Sequence, residues 1–313
     1  MKITSFLNKA KYMRISSILF LVLTSTLLTS CGGGSGGDGS SSDPQTNACS
    51  VLGLGTRIIN GTACDSTASP VVKIRLNGSG GTSICTGSMI TSRKVLTASH
   101  CVTLGTFTNV ISPSNVSIST GNISSPIARA KRIYNSSSVV SDLQRIDNEA
   151  AARGESERID NDINAFFDYV LEFGLSDIAV IELDRAVNLP TIPIKVSSFP
   201  SEGTILSIFG YGVNDGNSSD TPTSLYSGQM LSDSNGPKNI FARFDGDGSN
   251  TCGGDSGGPL VEQLSDGTAV VVGTTLGGTN SACTAGDRSS FTATAGVGIV
   301  SFLKTVAPEA AYR

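Results

Sequence analysis

The chain has 313 residues, 38% of them hydrophobic and 15% charged, and a formal net charge of −4. That length buries a substantial core in one large or two small domains. Its 36 glycines and absent tryptophan suit a strand- and turn-rich protein better than a helical bundle. The mild acidity excludes a binder of phosphate backbones, which clusters Lys and Arg, so no nucleic-acid partner is expected.

Lys2, Lys9, Lys11 and Arg14 precede an apolar run from Ile18 to Leu28. The run is short for a permanent membrane helix, and the pattern is that of a signal peptide over residues 1–30. It ends Leu28-Thr29-Ser30-Cys31, which resembles the lipobox of bacterial lipoproteins. The resemblance implies acylation of Cys31, a membrane partner and a place in the cell envelope. The alternative is plain secretion with an incidental cysteine. Residues 31–48 are rich in Gly and Ser, the composition of a flexible tether that holds a folded body away from its anchor.

From Val71 onward the text is strand-like. The runs 71–76, 88–90 and 94–97 are short and β-prone, and Gly and Ser turns separate them. Such spacing predicts an all-β barrel or sandwich. Residues 141–175 break the pattern: Ile159, Ile163, Phe166 or Phe167, and Val170 recur at helical spacing, and Gly174 is placed to end a helix. This stretch holds nine acidic residues against three arginines. It reads either as a solvated surface helix packed by one apolar face, or as a rim element that limits which substrates approach a cleft. The run Asp245-Gly246-Asp247-Gly248-Ser249 starts like a calcium loop. Asn250 and Ser256 stand where an EF-hand loop needs its glycine and closing glutamate, so no metal is expected, and no cofactor.

The most informative stretch is Thr251-Cys252-Gly253-Gly254-Asp255-Ser256-Gly257-Gly258-Pro259-Leu260. Glycines on both sides of Asp255-Ser256 allow consecutive N–H groups to point into one space, as an oxyanion hole requires. A hydroxyl there becomes a nucleophile when a histidine held by a carboxylate removes its proton. The chain has a single histidine, His100, in Thr97-Ala98-Ser99-His100-Cys101, and the candidate carboxylate is Asp177, in Asp177-Ile178-Ala179-Val180-Ile181. Asp184 is the nearest competitor. These three blocks, in the order His, Asp, Ser, resemble the active-site blocks of the trypsin/chymotrypsin family, and the resemblance covers residues 58–313.

The resemblance implies a double six-stranded antiparallel β-barrel with a C-terminal helix, dividing near 189–201. It implies a serine endopeptidase acting on protein or peptide substrates. His100, Asp177 and Ser256 are then the triad, and the N–H groups of Gly254 and Ser256 the oxyanion hole. Gly55-Thr56-Arg57-Ile58-Ile59-Asn60-Gly61 resembles the family's activation site, so 49–57 is a propeptide. Cleavage after Arg57 frees the Ile58 amine to pair with Asp255. Cys85 with Cys101, and Cys252 with Cys283, match bridges of the family. Cys49 and Cys64 remain, on opposite sides of the activation bond; if they pair, the propeptide stays attached after cleavage. The substrate pocket is implied at Asn250, Thr251, Gly277 and Ser289. Asn250 stands where a trypsin has aspartate, so a neutral residue is preferred over Lys or Arg, unless Asp247 swings in. A separate trypsin-like protease is then needed for activation. The rival reading is a catalytically silent, protease-shaped lipoprotein that binds a partner; its usual mark is a lost triad residue, and all three are here.

Overall fold

The computed structural model describes residues 48–52, 56–57, 62–64, 66, 68–78, 81–104, 107–121, 125–213, 224–244, 249–280 and 283–313. A helical turn α1 (Ala48–Val51) and the hairpin β1 (Thr56–Arg57) and β2 (Thr62–Cys64) come first. There follow β3 (Val71–Gly78), β4 (Gly81–Thr91), β5 (Lys94–Thr97), the turn α2 (Ser99–Val102), the small hairpin β6 (Thr103–Leu104) and β7 (Asn109–Val110), then β8 (Val116–Ser119) and β9 (Ala128–Asn135). Helices α3 (Ser138–Ala152), α4 (Ser156–Asn161) and α5 (Ile163–Phe173) separate β9 from β10 (Ala179–Leu183). The second half contains β11 (Ile205–Gly210), β12 (Leu225–Asn235), β13 (Asn239–Phe244), β14 (Pro259–Gln263), β15 (Ala269–Gly278), β16 (Asp287–Ala293) and the closing helix α6 (Ile299–Val306).

These strands make two antiparallel barrels of six. The first runs β10, β5, β4, β3, β8, β9 and closes through β9 on β10. The second runs β12, β11, β14, β15, β16, β13 and closes through β13 on β12, with β2 and β1 added along the outer edge of β12. Closure leaves few free edges.

The side-chain period of two explains why the strands read as nearly continuous apolar runs. Along β3, Val72, Ile74 and Leu76 fill the first barrel, while Val71 faces the opposite way into a core shared by both halves. Along β10, Ala179 and Ile181 point inward and Val180 outward into that shared core, where Phe209, Tyr211 and Leu303 meet it. Leu206, Ile208, Phe291 and Val272 fill the second barrel. Each such side chain stabilises the fold by about 1.5–3 kcal/mol when fully buried.

The insertion is three helices where the periodicity predicts one. Asp162 takes an extended conformation that stops α4, and its carboxylate accepts a bond from Asn164 N that caps α5. Gly174 ends α5 at a positive φ of 77°, with its N–H on Val170 O. The apolar face does more than lie on a surface: Phe166, Phe167 and Val170 share a buried cluster with Phe107, Phe241 on β13 and Leu276 on β15. The rings of Phe167 and Phe241 meet edge to face at 6.3 Å.

Candidate active site

Strand pairing brings His100 to Asp177. In the register of β5 and β10, Thr97 lies opposite Ala179, so the residues just after β5 face those just before β10. Ser99 Oγ donates to Ile178 O at 2.8 Å and ties the two segments together. Asp177 is fully buried and grips His100 twice: its Oδ2 is 2.6 Å from the imidazole Nδ1, and its Oδ1 accepts the His100 backbone N–H at 2.8 Å. This leaves Nε2 directed away from the carboxylate. Asp184 plays no part there, since it pairs with Arg185 and accepts from Arg129 N at the surface.

The serine turn approaches from the second barrel. Gly257 has φ 77°, and a Cβ on it would sit 2.1 Å from Thr97 Oγ1 and 2.8 Å from Ala98 N, so only glycine lets this turn reach the histidine segment. Gly254 has φ 103° and no room for a Cβ beside Gly212. Thr86 N donates to Ser256 O at 2.9 Å and fixes the serine backbone. The Cys101 sulfur, 3.6 Å from Ser256 O and 3.9 Å from His100 Nε2, lies between the two. Among the described residues, no hydrogen bond joins Ser256 Oγ to His100 Nε2. The N–H groups of Gly254 and Ser256 likewise carry no bond within the described residues. Cys85, His100 and Cys101 place three donor atoms within 4.8 Å of one another, but both sulfurs are in a disulfide and have no thiolate to offer a metal.

Behind the turn, Asp255 is enclosed. Its carboxylate accepts from Gly212 N and Cys252 N, each at 2.8 Å, and no cation among the described residues faces it. Burial pushes its pKa up to about 6, against the pull of those two bonds. Arg57 ends β1, with its backbone paired to Ala63. Ile58, Cys31 and Asp247 lie outside the described residues.

Asn250, Thr251 and Ser289 come together, and Gly277 faces open space. They are linked by a directed chain of bonds. Ser289 Oγ donates to Asn250 Oδ1 at 3.0 Å, which leaves Thr251 Oγ1 as the donor in its 2.8 Å bond to Ser289. Asn250 Nδ2 in turn donates to Asp287 Oδ2 at 2.7 Å. Asp287 is fully buried, and its Oδ1 accepts from Thr279 N, Thr279 Oγ1 and Asn280 N. Sequence reasoning missed this carboxylate, and no local pattern marks it: it is a single acid at the first position of the last strand, β16.

All six cysteines among the described residues are paired: Cys49 with Cys64, Cys85 with Cys101, and Cys252 with Cys283. The first pair joins the segment before Arg57 to β2 after it. Cys49 is buried in the shared core with Leu225.

Two closed six-stranded barrels, with a His–Asp pair on one and, among the described residues, a serine hydroxyl and two N–H groups without a bond on the other, have the architecture of double-barrel serine hydrolases. A family model described as Trypsin matches residues 58–297, and the chain belongs to that family of serine proteases. Comparison with curated proteins gives no match.

Proposed function

We propose that the chain is the precursor of a serine endopeptidase that works through His100, Asp177 and Ser256. The observation that supports this most is the meeting of the doubly held His100–Asp177 pair with a serine turn whose two N–H groups carry no bond among the described residues. Ser256 Oγ attacks a peptide carbonyl, and His100 Nε2 takes its proton and passes it to the leaving amine. Asp177 holds the Nδ1 proton and so fixes the tautomer. The Oγ to Nε2 bond forms when substrate is bound, as such bonds tighten in the reacting complex. The N–H groups of Gly254 and Ser256 receive the oxyanion, at about 3 kcal/mol per donor in comparable sites.

Cleavage after Arg57 starts activity. The freed Ile58 ammonium enters the Asp255 pocket and supplies the cation that the buried carboxylate lacks. The Cys49–Cys64 bridge keeps the propeptide attached, so activation does not release the enzyme from an anchor at Cys31 in the cell envelope. Release of residues 49–57 on a non-reducing gel would end that part of the reading.

Specificity follows from Asn250. Its amide is bonded to Thr251, Ser289 and Asp287, and the only carboxylate described there is sealed behind it. A Lys or Arg side chain finds no direct ion pair to repay its desolvation. Neutral residues are preferred, and the bond after Arg57 is left to a separate trypsin-like protease. The test is a peptide-library cleavage profile of the activated protein beside Ser256→Ala. Turnover confined to the serine form, with neutral residues ahead of Lys and Arg, supports the proposal. An inert wild type, or an active alanine form, contradicts it.

A further inference from the structure

Asp177 is placed by the residues that lead into it. Its own two oxygens are committed to His100, so the position of the carboxylate is inherited from 174–176. Leu175 is held at both ends by one side chain: its N–H donates to Asn239 Oδ1 at 2.8 Å, and Asn239 Nδ2 donates back to its carbonyl at 3.3 Å. Ser176 N–H donates to Asp142 Oδ2 at 2.9 Å, and Asp142 Oδ1 accepts Lys238 Nζ at 2.6 Å. Asp142 lies on α3, while Lys238 and Asn239 lie at the turn from β12 into β13. Their relative exposures are 5%, 9% and 0%. Arg145, the other charged group near Asp142, is 3.6 Å from Oδ1 and half-exposed, and it also donates to Phe173 O at the end of α5.

We propose that Asp142, Lys238 and Asn239 are positioning residues for Asp177, and that the helical insertion is a brace for this carboxylate. The proposal rests on the reading of His100, Asp177 and Ser256 as the triad. The apolar face of the insertion already supplies its packing, so the buried ion pair is not needed to hold the helices down. Two charges removed from water are tolerated where geometry and additional bonds satisfy them, and such a network admits few alternative arrangements. Here the additional bond goes to the N–H of Ser176, the residue immediately before Asp177. By contrast, the insertion's Arg153–Glu172 pair is more than two-fifths exposed on both sides.

The test uses the full chain cleaved after Arg57, with rates counted per titrated active site. Asp142→Asn is expected to lower kcat by about 10- to 100-fold with KM within twofold, since a shift near 1 Å at the triad has effects of that order. It is also expected to move the acid limb of the kcat/KM profile, which a loss of folded protein alone would not do. The double variant Asp142→Asn with Lys238→Met should recover part of the loss, because neither partner is then stranded. Glu172→Gln should stay within twofold of wild type. Should Asp142→Asn not fold, Lys238→Arg, which keeps the charge and alters the geometry, is expected to show lowered kcat at near-native stability. Wild-type kcat and pH profile in Asp142→Asn, or in a folded Lys238→Arg, would overturn the brace. Failure of wild-type Ser256 to react with an organophosphate would instead overturn the triad, and the brace with it.

Discussion

Asp255 is the residue whose environment speaks most directly about the state of the chain. A carboxyl group raised to about 6 keeps its proton in the folded chain over a range where the unfolded chain, near the ordinary value of 3.8, has given it up. The unfolded state then binds fewer protons, so precursor stability falls as pH rises from about 4 to about 6 and is level above that. The loss is of order 2–3 kcal/mol, at about 1.4 kcal/mol for each pH unit between the two values. Denaturation of the precursor across this range, beside Asp255→Asn, is expected to show the slope only in the aspartate form; parallel curves would contradict it. Asp287 acts at the same scale. Its carboxyl group lies one amide behind the proposed pocket floor and, on that proposal, opposes acidic substrate residues, so Asp287→Asn is expected to raise kcat/KM for a Glu-containing peptide about tenfold relative to a neutral one. An unchanged ratio of the two substrates would remove Asp287 from specificity.

Among the elements, the insertion shows what sequence can and cannot convey. The spacing of Ile159, Ile163, Phe166, Phe167 and Val170 announces helix because amphipathic period is a local property. The break at Asp162 is less visible, because one extended residue between two helical runs leaves the overall pattern intact. Least visible is the partner of Asp142. It is one of nine acids in the stretch, and its ion pair is to a lysine 96 residues away. The serine turn is the opposite case. Its glycines answer a local steric demand and its bridges recur with the family, so Ser256, His100 and Asp177 stand out, whereas Asp287 does not. The insertion's hold on the second barrel is measurable: Phe167→Ala is expected to cost about 3–5 kcal/mol in chemical denaturation, and a loss below about 1 kcal/mol would mean that the Phe241 contact contributes little.

At the scale of the whole molecule, the two barrels bring together groups that neither holds alone. The first supplies His100 and Asp177, the second supplies Ser256, and their shared core, where Val71, Val180, Phe209 and Leu303 meet, fixes one half against the other. The helices between β9 and β10 pack onto the second barrel through Phe241 and Leu276. The segment before Arg57 is stapled to the body through Cys64, so under the proposed activation a single cut at Arg57 leaves the parts joined. The most direct measurement is the rate at which an organophosphate modifies Ser256, followed by mass spectrometry, in precursor incubated alone and in the same sample after trypsin cleavage at Arg57. Slow or no modification is predicted before the cut, and rapid modification confined to Ser256 after it. Equal rates before and after, or modification elsewhere with Ser256 untouched, would contradict the proposed activation and triad.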